Sequence, residues 1–349
     1  MRDTPAAAPA VSDAPSQRSQ ESLAVAVGAI AFVVAGLVAI PVFRLSAAPI
    51  SGPGSIGQYA AIACAVTAIL AFVAGRYVVR EHRETRRLGF LDVVDIAALA
   101  FAHGVIALLG WTLMAVILAA GFEGADVFPF SVLVLGGAAA ALTGYLAFTS
   151  ATHMDLQLLA IVLAVFLVLG ILASMLTASD PLWWKDNLSA LGMTTNVSAM
   201  AFNLTIIVAG ILVTTLARSA TRGLPTSRPQ GAAHVRTCLV VVGVFLGLVG
   251  VFPVDLHFAI HTGVASGMVV AFGILVLRLN SWMPGLPRTF LLLGPLFLAV
   301  IVVLAVLFAV GYYTLTAVEL VAGILVFTWI ILFIRNAAAL AADTAHAPS

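Results

Sequence analysis

Runs of roughly twenty uninterrupted apolar residues recur along this chain from about residue 22 to about residue 335, and no other feature restricts its fold so tightly. At about 1.5 Å per residue, a helix of that length crosses roughly 30 Å of hydrocarbon. Such runs are far too long and continuous for the alternating ten-residue strands of a membrane barrel. In lipid, every backbone N–H and C=O must be satisfied within the segment, so each run must be a helix. The expected fold is all-α: a polytopic transmembrane helical bundle of about ten spans. With 62% hydrophobic residues, 9% charged residues and a mean hydropathy of +1.14, no stretch remains to build a soluble domain.

The spans are read as 22–43, 56–79, 92–119, 128–149, 156–177, 193–217, 237–254, 257–277, 290–310 and 314–334. Residues 1–21, rich in Ala, Pro and Ser, read as a disordered tail, and residues 336–349 as a second, short tail. An even number of spans puts both termini on one side. Arg76, Arg80, Arg83, Arg86 and Arg87 fill one loop, Arg218, Arg222, Arg228 and Arg236 another, and Arg278 and Arg288 a third. All three loops fall on one face, joined by Arg2, Arg18 and Arg335 of the tails. The opposite face carries Glu123, Asp126, Asp180, Asp186 and Asp255 against only Arg44 and Lys185. By the positive-inside rule the termini are cytoplasmic, and the strength of the bias points to a bacterial inner membrane.

The net charge of +1 and the use of the arginines for orientation leave no basic face for nucleic acid. Cys64 and Cys238 lie within apolar runs and form neither a disulfide framework nor a zinc spacing. Walker, HExxH, GxSxG and paired-aspartate motifs are missing, which argues against ATP-driven or proteolytic chemistry. The bilayer is the one partner the composition requires.

Polar residues at membrane depth are costly and by default mark function. Asp255, His257 and His261 follow Phe252-Pro253 at the start of the eighth span. Read as helical, the two histidines share a face and offer two nitrogens to a metal, with Asp255 as a further ligand. Read structurally, Asp255 caps the helix and the histidines bond their neighbours. Asn196 and Asn203, seven apart in the sixth span, should face the bundle rather than strand an amide in lipid. Trp183 and Trp184 suit a headgroup-level segment between the fifth and sixth spans. Glu319 lies about one turn into the last span, at a depth matching His261. Asp92, Asp95 and His103 share roughly one face of the third span, an arrangement that fits a proton relay or acidic partners of a helix dipole. Ala259, Gly263, Gly267 and Ala271 form a small-residue stripe suited to close helix packing.

The stretch Asn187-Leu-Ser189-Ala-Leu-Gly192, Phe202-Asn203, Gly250-Val-Phe252-Pro253-Val-Asp255, the two histidines and the closing Glu319 and Trp329 together resemble the family called domain of unknown function 998, over roughly residues 155–335. The resemblance implies a bacterial inner-membrane protein whose outer-face polar groups form one neighbourhood, and it implies no catalytic assignment. From the residues themselves, the leading expectation is a periplasm-facing polar pocket lined by Asn196, Asn203, Asp255, His257, His261 and Glu319. It would take a small-molecule or lipid ligand without a cofactor, and transport is its closest variant, although five spans followed by five show no internal repeat. The alternatives are an intramembrane hydrolase, with zinc or iron on His257 and His261 activating water against a lipid, and a structural partner within a membrane complex.

Overall fold

A computed structural model describes residues 17–83, 89–193, 195–221 and 229–345, the side chains of 17, 81–83, 229 and 341–345 excepted. Ten helices carry the fold: α1 (Gln17–Phe43), α2 (Ile56–Arg83), α3 (Phe90–Gly121), α4 (Pro129–Thr152), α5 (Leu156–Leu176), α6 (Val197–Ala220), α7 (Pro229–Val251), α8 (Phe258–Trp282), α9 (Arg288–Ala309) and α10 (Leu315–Ala345). All ten are long and apolar enough to cross a bilayer, and the chain is a multi-pass membrane protein. Their outward faces carry large apolar side chains such as Leu70, Val168, Leu277 and Leu292, more than half exposed. A helix clothed this way is stable only where lipid meets those side chains.

Several helix ends differ from the sequence reading. α1 starts at Gln17, inside the tail assigned to 1–21, and α10 continues to Ala345, through most of the tail assigned to 336–349. The Asn336-Ala-Ala-Ala-Leu-Ala-Ala stretch is made of strong helix formers, so nothing in it stops the helix once the apolar run ends. α7 begins at Pro229, eight residues before the apolar run, with proline in the first turn where its missing N–H costs nothing. α6 begins at Val197 rather than 193. Residues 1–16, and Arg2, Arg86, Arg87, Arg222 and Arg228 of the orientation argument, lie outside the described residues.

The chain divides into two compact units, residues 1–89 with 114–153 and residues 90–113 with 154–349. In the first, α4 packs along both α1 and α2. Its Gly136-Gly137 and four alanines let the backbones approach: a Cβ at Gly137 would lie 2.8 Å from the Phe32 carbonyl oxygen, and one at Gly28 of α1 would lie 3.0 Å from that of Ala141. The Tyr59 hydroxyl donates to the Ala35 carbonyl, and Tyr145 donates to Glu21 at 2.7 Å. A two-residue ladder, β1 (Ala48–Pro49) antiparallel to β2 (Asp126–Val127), ties the connections together over a small core of Ala48, Ile56 and Val132.

In the second unit, α5 to α10 pack each against the next, and α10 returns to α5. α6 is the most enclosed of them. Its seam with α7 is built on glycine: a Cβ at Gly210 would stand 2.5 Å from the Gly243 carbonyl oxygen and 2.6 Å from the Gly247 nitrogen, and one at Gly250 would stand 2.6 Å from the Asn203 oxygen. The predicted stripe on α8 is used by half. Gly267 lies against the Phe245 ring and Ala271 is buried, whereas Ala259 and Gly263 face outward. Farther along, Trp329 is fully buried between stacked Phe290 and Phe333, with Phe272 edge-on.

Candidate functional site

The connection from α5 to α6 is where the polar residues of the second unit converge. After Thr177 the chain makes a turn in which Asp180 Oδ1 accepts from the Leu182 N–H at 2.8 Å. Two short 3-10 turns follow, Trp183–Lys185 and Leu188–Gly192. Trp184 is exposed, with Lys185 Nζ 5.8 Å from its ring centre. The second turn is held by side chains that project from three different helices.

Glu319, in the second turn of α10, accepts the Leu188 N–H on Oε2 at 2.5 Å. His261 of α8 reaches Ser189: its Nε2 lies 3.1 Å from Ser189 Oγ, and its Nδ1 lies 2.7 Å from the Phe252 carbonyl oxygen. A carbonyl only accepts, so Nδ1 carries the hydrogen, and in the neutral ring Nε2 accepts from Ser189. His261 is 6% exposed, with both nitrogens spoken for. Asn203 of α6 donates from Nδ2 to the Gly192 carbonyl at 3.0 Å. Gly192 is required there, since a Cβ would run into Asn203 Oδ1 and stand 2.9 Å from the Phe202 ring. Beneath the turn, Ser174 and Ser198, both essentially fully buried, exchange hydrogen bonds: each Oγ lies 2.9 Å from the other's carbonyl oxygen. Buried Asn187 Oδ1, at the head of the turn, has no hydrogen-bond partner among the described residues.

This arrangement separates the residues that the sequence grouped. Glu319, His261 and Asn203 come together on the 187–192 turn. Asn196 does not lie within the span: it is the N-cap of α6, accepting from the Ala199 N–H at 3.0 Å and donating to Ser179 Oγ at 2.9 Å. Asp255 is exposed in the turn before α8, and the N-cap position it was expected to fill belongs to His257, whose side chain makes no capping bond. His257 is exposed, its ring edge-on to Phe252 at 5.4 Å. At φ −137° and ψ 47° it stands outside the helix, so the i, i+4 geometry that would aim two imidazoles at one metal is not formed. Among the described residues, no three of His, Cys, Asp and Glu form a group that could hold a metal ion.

Asp92, Asp95 and His103 belong to another neighbourhood. Asp95 takes Arg218 Nη2 on both oxygens at 2.6 Å, and Thr215 donates to Oδ1 at 2.7 Å. Arg218 is in the last turn of α6, about 30 Å along that helix from the 187–192 turn. His103 bonds the Leu99 carbonyl of its own helix at 2.8 Å, and Asp92 is partly buried at the start of α3.

A family model described as a protein of unknown function, DUF998, matches residues 158–336, just over half of the chain. The chain belongs to the DUF998 family. The matched region contains every residue of the 187–192 turn and all three of the side chains that hold it. No curated protein and no solved structure matches the chain. Sequence reasoning missed four participants in this DUF998 site: Ser189, Ser174, Ser198 and the Leu188 amide. Ser189 lies inside the Asn-Leu-Ser-Ala-Leu-Gly stretch, where its neighbours gave the only signal. The two buried serines resemble any other small residues of an apolar run until α5 and α6 are placed together.

Proposed function

We propose that this DUF998 member is a non-enzymatic receptor for a small or amphipathic ligand, with the 187–192 turn as a closure over the end of its second unit. Ligand entry would exchange the hydrogen bonds of Glu319, His261 and Asn203 from the turn to the ligand. The observation that carries the reading is that convergence: three membrane helices each commit a polar side chain to one six-residue turn. Polar side chains in a membrane bundle ordinarily hydrogen-bond from one helix to another, whereas these three all bond a connecting turn. The buried Oδ1 of half-buried Asn187, without a partner among the described residues, adds an acceptor for an incoming donor.

The arginine asymmetry supports a site that faces the periplasm, with both termini cytoplasmic, in a bacterial inner membrane. Transport is the form this function takes if the closure alternates with an opening on the opposite side. The test is native mass spectrometry of the full chain purified in mild detergent. A bound small or amphipathic mass is expected on the wild type, with occupancy reduced about tenfold or more in Glu319→Gln and Asn203→Ala at matched folding. Wild-type protein without bound mass, or with a mass insensitive to both substitutions, contradicts the proposal.

A further inference from the structure

At the far end of α6 from the closure, two cavities share one residue, Arg218. One, of about 280 Å³, is a cleft among α3, α6 and α7. Its polar end is Asp95 and Arg218, and Thr214 apart the rest is apolar, walled by Ile207, Val244 and Val251 over the Gly243 and Gly247 floor. The other, of about 340 Å³, lies beside Arg218, Arg236, Thr237 and Val240. Arg236 is exposed, in the second turn of α7, and makes no ion pair among the described residues. Among the described residues Arg218 commits only Nη2, to Asp95, and its remaining N–H groups can serve a second acceptor.

We infer that this double cleft binds an anionic phospholipid, the headgroup phosphate between Arg218 and Arg236 and an acyl chain along the α6–α7 glycine floor. Charge selects the occupant: the two cavities carry two arginines against one aspartate, and both arginines sit at helix ends, where headgroups lie. Length agrees. From Arg218 to Ile207 the cleft follows eleven residues of α6, about 16 Å, close to the roughly 15 Å hydrocarbon depth of one leaflet.

One glycine of the floor makes the site testable. A Cβ at Gly247, which lines the cleft, would meet only the Ile207 oxygen, at 3.8 Å, so a side chain can begin there without parting the helices. The delipidated full chain is titrated with phosphatidylglycerol and with phosphatidylcholine of the same acyl chains, and bound lipid is read by native mass spectrometry. Phosphatidylglycerol is expected to bind about fivefold more tightly than phosphatidylcholine, the effect of one arginine near a headgroup. Arg236→Gln, at an exposed position, should remove that preference, weakening phosphatidylglycerol more than phosphatidylcholine, whose choline offsets the phosphate charge. Gly247→Leu should weaken both lipids, whereas Arg288→Gln and Glu319→Gln should alter neither. Equal binding of the two lipids by the wild type, a preference that survives Arg236→Gln, or a Gly247→Leu variant that binds as the wild type does overturns the inference. So does a change in oligomeric state in Gly247→Leu, which would give the cleft to a second copy of the chain.

Discussion

Replacing Gly210 by alanine and, separately, Gly247 by alanine makes the same chemical change on the two sides of one helix seam, and the structure assigns them opposite outcomes. At Gly210 the new methyl would stand 2.5 Å from the Gly243 oxygen, 2.6 Å from the Gly247 nitrogen and 2.9 Å from the Gly247 Cα, all backbone. None of these atoms can turn aside, so α6 and α7 must separate by nearly 1 Å to restore ordinary contact. A gap of that size forfeits a quarter to a half of each dispersion contact along the seam. Overpacking typically costs about 1–3 kcal/mol, and we expect about 2 kcal/mol for Gly210→Ala after the gain in helix propensity. At Gly247 the methyl meets only the Ile207 oxygen at 3.8 Å. Gly247→Ala should be neutral or stabilise by up to about 1 kcal/mol. Reversible unfolding in mixed micelles, followed by far-ultraviolet circular dichroism, measures both. Equal effects of the two substitutions would refute the claim that α6 and α7 meet through Gly210.

Three further substitutions test separate contacts. In a double-mutant cycle, Asp95→Asn and Arg218→Gln should couple by about 2 kcal/mol, between the values for exposed and buried pairs, because the two side chains are 23% and 20% exposed; coupling near zero would remove the pair as a stabilising contact. His261→Ala should destabilise by about 2–3 kcal/mol, leaving the Ser189 hydroxyl and the Phe252 carbonyl unpaired, whereas His257→Ala at its exposed position should stay within about 0.5 kcal/mol. Equal losses in thermal unfolding would return the two histidines to a shared role. Asn196→Ala should cost about 1 kcal/mol as the loss of a helix N-cap, and Asn196→Asp should largely restore it; a variant as stable as the wild type would show that the cap contributes nothing.

The ten helices were legible because length and hydropathy are local properties, and in lipid they leave the backbone no alternative. Boundaries were legible only where a local signal was weighed. Asn196 was counted inside a span because that span was begun at Met193, yet Met193-Thr-Thr-Asn196 is mostly polar and Asn followed by Val-Ser-Ala carries an N-cap signature. Asp255 misled in the opposite way: an acid ahead of a helix looks like a cap, but an intervening turn delays α8 until Phe258. The pairing of His257 with His261 assumed helical backbone at both positions, and one of them is not helical.

Long-range partners were not legible at all. Leu188 and Glu319 are 131 positions apart, and their hydrogen bond follows from how α5, α6 and α10 pack, which no periodicity encodes. Glycine showed a middle case. Gly243, Gly247 and Gly250 were as visible as the stripe on α8, but only the packed helices reveal that the α7 set lies in the closer seam.

Amide hydrogen exchange across the 187–192 turn tests most directly whether membrane helices hold that turn closed. Leaving a buried N–H without its acceptor costs about 1–3 kcal/mol. The Leu188 amide should therefore be protected in the wild type and exchange at least about tenfold faster in Glu319→Ala, with the Trp183–Lys185 turn unchanged as the internal control. A Leu188 amide that exchanges as fast as Trp183–Lys185 in the wild type, or at one rate in both proteins, would contradict the account.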